Sequence, residues 1–196
     1  MKEIILASAS PRRKELLEQI GIPFRIIKSD AKEIVTEKDP VSIGKELSAR
    51  KAEDVATQIE NGIVLGADTL VFLGEEIMGK PSGRQEAYDM LMRLQGNTHL
   101  VCTGVTLIER NNGKTVQSRS FAEVTKVQVS PMSDEEINAY LDTGDASDKA
   151  GSYGIQGPFA AYVQGIEGDY HNVVGLPVCA VYHELKNFFA IQEALS

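Results

Sequence analysis

With 196 residues, 42% of them hydrophobic, the chain carries enough apolar surface for a sizeable core in one large domain or two closely joined lobes, which excludes intrinsic disorder. Its formal charge of -8 excludes nucleic-acid binding through the overall field, so any phosphate ligand is small and locally held. Cys102 and Cys179 form neither a disulfide framework nor a metal pattern, the apolar run before Ala7-Ser8-Ala9 is too short for a signal peptide, and no stretch approaches the roughly 20 apolar residues of a membrane span. The expectation is a reduced cytoplasmic protein with both cysteines in or near the core.

Residues 4–7 read as a first strand, and Ser8-Ala9-Ser10-Pro11 as a tight passage into a helix with Ser10 at the N-cap and Pro11 at the first helical position. Arg12 and Arg13 then fall in the first helical turn, the positive end of the helix dipole, where cations are unfavourable and an anion is welcome. Two arginines there are either a solvated helix start or half of an anion site. Leu16, Leu17 and Ile20 give that helix one apolar face, and Gly21 and Pro23 stop it. Residues 24–27 read as a second strand, and residues 28–38 as a polar loop that contains Glu33. Asp39-Pro40 opens a long helix with Ile43, Leu47 and Val55 inward and Lys45, Arg50 and Lys51 outward; Ala49 and Ala52 leave the surface beside Lys51 small enough for close packing.

The next stretch, IVLGADTLVFLGEEIMGK from residue 63 to residue 80, carries the densest chemistry. Ile63, Val64 and Leu65 form a doubly buried strand. Gly66 and Ala67 remove side-chain bulk so that a ligand can approach the backbone, and Asp68 stands at the strand end with Thr69 beside it. Leu70, Val71 and Phe72 resume the strand, Leu73 and Gly74 turn it, and Glu76 to Met78 return toward Gly79 and Lys80. The same aspartate would also serve as a simple turn cap.

Ser82 has capping-box spacing before a helix that carries Ala87, Leu91 and Leu94 and ends near Gly96. Residues 99–108 read as a strand, Asn111-Asn112-Gly113 as a hairpin turn, and residues 115–129 as one or two further strands. Ser133 with Glu136 repeats the capping box before Ile137 and Leu141. Residues 145–157, DASDKAGSYGIQG, form a glycine-rich loop with Asp148, Lys149 and Gln156 as polar candidates, the kind of irregular segment that is usually functional. A strand follows at 160–163, a turn at 165–169, and a C-terminal helix with Val178, Val181 and Leu185 buried. Alternating strands and helices, with one hairpin, predict an α/β domain with a mixed sheet.

Two apparent motifs fail. Gly74 to Lys80 copies a phosphate-binding P-loop, but Pro81 stands where Ser or Thr must hold the metal. Gly151, Gly154 and Gly157 lack dinucleotide-fingerprint spacing, and His99, His171 and His183 have no zinc-ligand spacing. Taken together, however, Ser8-Ala9-Ser10-Pro11-Arg12-Arg13, Gly66-Ala67-Asp68-Thr69, Gly79-Lys80-Pro81, Asp148-Lys149-Ala150-Gly151, Gly154-Ile155-Gln156-Gly157 and Gly175-Leu176-Pro177 closely resemble the Maf family of nucleoside triphosphate pyrophosphatases, over nearly the whole chain and in family order.

The resemblance implies a single Maf-like domain over residues 1–196, an elongated mixed α/β sheet with flanking helices in two lobes around a deep central cleft (Maf/ITPase-like), a divalent cation (Mg²⁺ or Mn²⁺), and hydrolysis of a nucleoside triphosphate to the monophosphate and pyrophosphate. It implies Asp68 as proton acceptor, Ser8, Arg13, Lys51 and Lys80 around the triphosphate, and Glu33 with Asp68 at the metal and water. The chemistry suits those types: water needs a base, a metal bridges phosphate oxygens, and Arg and Lys neutralise developing charge. Arg12, Thr69 and Gln156 occupy the positions that separate subgroups, and the trio looks like the one acting on dTTP and UTP. Partners implied are the nucleotide alone, without nucleic acid or membrane, and the resemblance allows a homodimer. The family also admits a second reading, a nucleotide-responsive binding protein that inhibits septum formation in cell division, and a phosphate-binding module without turnover is a third.

Overall fold

The structure, a computed structural model, describes residues 2–195, with side chains described through residue 188. Its elements run β1 (Ile4–Leu6), α1 (Pro11–Gln19), β2 (Phe24–Ile26), α2 (Pro40–Ala56), β3 (Gly62–Leu73), β4 (Glu76–Met78), α3 (Arg84–Leu94), β5 (Thr98–Asn111), β6 (Lys114–Val129), α4 (Asp134–Asp142), β7 (Val163–Glu167), α5 (Tyr170–Val174) and α6 (Val178–Leu195). The seven strands form one mixed sheet of order β2-β1-β3-β5-β6-β7, with β4 paired to β3. The chain divides into two compact units, one of Met1–Asp68, Thr103–Glu123 and Gly175–Ser196, the other of Thr69–Cys102 and Val124–Val174.

In the first unit β1 is parallel to both neighbours, Ile4 lying opposite Phe24 on one side and Ile63 on the other. A central strand buried on both faces has no polar face to show, which is why β1 is all aliphatic. Helix α1 ends in a Schellman motif: Gly21 takes φ 69°, its N–H bonds to Glu18 O and the N–H of Ile22 bonds to Leu17 O. Helix α2 starts at Asp39, whose carboxylate accepts from Ser42 N–H at 3.0 Å. It lies on the sheet with unusual closeness, because a Cβ at Gly66 would stand 2.4 Å from Ser48 O and one at Gly104 only 1.9 Å from Gly44 O. The two glycines form a seat for helix backbone. Buried beside it are Ile5, Ala52, Val55, Val64 and Ile108, each large aliphatic worth about 1.5–3 kcal/mol. A polar chain there is satisfied, Ser48 to Thr106 at 2.9 Å and Thr106 to Ser120 at 2.8 Å.

The second unit is organised on the hairpin of β3 and β4, with Val71 opposite Met78 and Gly74 at φ 64° in the turn. Helix α3 packs Ala87, Met90, Leu91 and Leu94 inward beside α4, which opens with a complete capping box of Ser133 and Glu136. In the first unit the β5–β6 turn places Asn112 at φ 48° and Gly113 at φ 71°, as a two-residue hairpin requires. Strand β7 is antiparallel to β6, Lys126 facing Glu167.

Several sequence expectations need correction. Asp68 does not end a strand: β3 runs unbroken through it, and it falls between the part of β3 paired with β1 (Ile63 to Leu65) and the part paired with β4 (Val71 to Leu73). The space beside Gly66 is filled by α2 and is not a ligand approach. Ser82 does not cap α3; Gly83 is the N-cap, and Ser82 instead donates from its N–H and hydroxyl to Glu86. Ser10 stands at the N-cap of α1 without a side-chain bond. Residues 158–162 are a short 3-10 helix led by Pro158, so the strand expected at 160–163 is displaced to β7, which includes the expected turn residue Gly165; the turn comes at Gly168 (φ 127°). Cys102 is buried as expected, but Cys179 is exposed on α6.

Candidate active site

Beyond β1 the backbone continues its pairing, Ala7 N–H to Leu65 O at 2.8 Å, and then delivers Ser8. The Ser8 hydroxyl accepts from Ser10 N–H at 3.2 Å and from the Arg13 guanidinium at 3.0 Å. Arg13 is only 8% exposed, and its Nε donates to Gly175 O at 2.8 Å. A cation buried at a helix N-terminus is costly. Burial lowers the Arg13 pKa first and foremost; Asp68 and Glu33 pull it back up, and Arg12 pushes it down. Arg12, Arg13, Glu33 and Asp68 therefore share one electrostatic neighbourhood.

Asp68, 7% exposed, accepts a charge-assisted hydrogen bond from Lys51 Nζ, which also donates to Glu33 Oε1 at 2.8 Å. The glycine seat explains how a helix lysine gets there: side chains alternate along a strand, so Gly66 and Asp68 share a face, and α2 pressed onto Gly66 brings Lys51 down beside Asp68. Glu33 is held by a device that no local pattern shows. The irregular segment 27–38 is strapped to α2 at two points, Asp54 accepting from Ser29 and Asp30, and Glu46 accepting from Thr36 and Glu37. These bonds and the Arg50 guanidinium, the leading cause, hold the Glu46 carboxyl down at about 2.

The structure thus gathers Ser8, Arg12, Arg13, Glu33, Lys51 and Asp68 within the first unit. In the second unit Thr69 is partly buried in β3, while Lys80 and Gln156 are exposed. The segments carrying the last two are tied: Gly151 N–H donates to Gly79 O at 3.0 Å. Sequence reasoning missed Glu46 and Asp54, and saw Gly175 only as part of a family motif, not as the carbonyl that anchors Arg13. Among the described residues no three His, Cys, Asp or Glu side chains converge as a metal cluster. Two carboxylates do converge, Glu33 and Asp68, on the Lys51 ammonium, and one or two carboxylates with the rest of the shell from phosphate and water is the ordinary way to hold Mg²⁺. No helix among the described residues is long and apolar enough to cross a membrane.

The profile of the family described as "Maf-like protein" matches residues 3–188. A protein of Lachnoclostridium phytofermentans named dTTP/UTP pyrophosphatase is 48% identical over 189 residues, 96% of each chain. One of the same name from Carboxydothermus hydrogenoformans is 48% identical over 186 residues, covering 95% of this chain and 98% of its own. Among solved structures the Staphylococcus aureus Ham1 protein superposes with a TM-score of 0.47 at 14% identity, over 66% of this chain and 72% of that one, a likeness too distant to bear on function. A profile match over nearly every residue, together with relatives of this identity and length, means that the chain belongs to the Maf-like protein family.

Proposed function

We propose that this protein is a nucleoside triphosphate pyrophosphatase of the cytoplasm that hydrolyses dTTP and UTP to the monophosphate and pyrophosphate. The observation that carries the reading is the buried Asp68, bonded to a lysine that also holds Glu33 and set beside the buried Arg13, in a chain whose relatives bear that name. Asp68 takes the proton of the attacking water. Ser8, Arg13, Lys51 and Lys80 bind the triphosphate, with Arg13 pre-aimed by Ser8 and Gly175 so that little entropy is lost on binding. Glu33 and Asp68 would supply the protein oxygens for Mg²⁺ or Mn²⁺, and the cation would contribute neutralisation of phosphate charge.

Arg12, Thr69 and Gln156 choose the base. A glutamine amide complements the N3 hydrogen and adjacent carbonyl of uracil or thymine, whereas cytosine leaves the amide oxygen facing a lone pair. A panel of ordinary and modified triphosphates with Mg²⁺, scored separately for pyrophosphate and for phosphate, tests the whole reading. Pyrophosphate with UMP and dTMP is expected, with UTP and dTTP well separated from CTP. Phosphate and a nucleoside diphosphate as first products would refute it.

A further inference from the structure

The base-reading glutamine sits on a turn whose construction is unusually specific. Gly157 N–H closes back on Gly154 O at 3.2 Å, and the turn hangs between Tyr153 and Phe159, both buried. Tyr153 is fixed from β5 by His99, Nε2 to hydroxyl 2.7 Å, and stacks on Phe159 with ring centroids 4.6 Å apart. Ile155 is buried too, so Gln156 is the side chain that the turn presents outward.

Beneath the turn lies a cluster that the proposed chemistry does not use. Lys149 Nζ donates to the Asp145 backbone carbonyl at 2.6 Å and stands 3.0 Å from the Asp145 carboxylate and 2.8 Å from that of Asp148. The other Asp145 oxygen accepts from the buried Tyr140 hydroxyl at 2.8 Å. The Lys149 and Asp145 side chains are only 14% and 22% exposed. Neither Gly154 nor Gly157 has a backbone conformation reserved for glycine, Gly157 lying at φ -95°. They are glycines for space: a Cβ at Gly154 would stand 2.6 Å from Lys149 Cε, and one at Gly157 2.7 Å from Asp145 Oδ2. The turn rests on the ion pair.

We propose that Asp145, Lys149 and Tyr140 are positioning residues for Gln156, holding the 154–157 turn at one height and thereby setting the preference for uracil and thymine over cytosine. The inference rests on the reading of Gln156 as the base selector. A turn with two glycines is otherwise free to shift, and a misplacement of about 1 Å at such a contact costs on the order of a hundredfold in rate.

The test measures kcat/KM on UTP and on CTP for the full chain with Mg²⁺, in Lys149→Met, Lys149→Arg, Tyr140→Phe, Gln156→Ala and the double variant Lys149→Met/Gln156→Ala. Lys149→Met keeps the stem under Gly154 and removes the charge. It is expected to lower the UTP to CTP ratio by about tenfold or more, with Lys149→Arg restoring most of it and the double variant no lower in ratio than Gln156→Ala. Tyr140→Phe, which keeps the ring in its aromatic cluster, makes the same comparison should Lys149→Met fail to fold. Equal losses on UTP and CTP, or an unchanged ratio, while Gln156→Ala does move it, would overturn the positioning role and leave the base reading standing. A ratio indifferent to Gln156→Ala would remove the base reading and this inference with it.

Discussion

Asp68 is a buried carboxylate that touches the partly buried Lys51 and neighbours the buried Arg13, the position proposed for the base. Asp68→Asn keeps the shape and removes the basicity, so kcat is expected to fall by about 10² to 10⁴ while nucleotide binding persists. A pure binding protein would keep or gain affinity with this change and have no turnover to lose, so parallel calorimetry and kinetics separate the two. A second expectation concerns His99, which is buried with its Nδ1 lacking a hydrogen-bond partner among the described residues and whose pKa burial lowers to about 4. The unfolded chain takes that proton near pH 6.5 and the folded one only near 4, so stability is full above about pH 6.5 and falls as pH drops through that window, by about 3 kcal/mol in all. Unfolding free energies from urea melts followed from neutral pH to about pH 5 should decline in the wild type by about 2 kcal/mol and stay nearly level over the same range in His99→Gln. An equal slope in both would place the titration elsewhere. That Asp68 and Lys51 touch was not legible in the sequence, because nothing local relates positions 51 and 68.

That contact is decided by how an element is seated. Helix α2 meets the sheet backbone to backbone at Gly66 and Gly104, and its distance from the sheet sets where Lys51 ends. Gly104→Ala puts a methyl 1.9 Å from Gly44 O and Gly66→Ala puts one 2.4 Å from Ser48 O, so in each case the helix must lift. Overpacking of this kind typically costs about 1–3 kcal/mol, and Gly104→Ala should be the worse of the two in denaturant melts. Gly66→Ala should also lower turnover beyond its effect on stability, because Lys51 rises away from Asp68; a variant that is destabilised yet fully active would show that the seat does not aim the lysine. The Asp39 and Ser133 caps, the helix faces and the Asn112-Gly113 turn could be read ahead of the structure because their signals lie within a few residues. Gly66 was misread as an opening for ligand because a glycine records only that something comes close, not what does.

For the molecule as a whole, the order β2-β1-β3-β5-β6-β7 puts β3 and β5 side by side although β4 and α3 intervene in sequence, an arrangement that strand signals alone do not specify. The mixed α/β character was legible in the alternation of strand and helix signals. A chain with a formal charge of -8 whose proposed ligand is itself a polyanion must gather its cations locally, and in the first unit Arg13 and Lys51 come from α1 and α2. In the proposed reaction cations at the phosphates neutralise a leaving pyrophosphate better than a leaving phosphate, since the β and γ groups together carry more charge. Water activated by Asp68 is then expected to attack the α phosphorus, with the bond to the β bridging oxygen breaking. Hydrolysis of UTP in ¹⁸O-enriched water distinguishes the routes that release pyrophosphate: attack at the α position leaves the label in UMP, whereas attack at the β position leaves it in pyrophosphate. Label in UMP alone is the expected result, read by mass spectrometry of both products. Label in pyrophosphate would move the nucleophile one phosphorus along the chain and take Asp68 out of the role given to it.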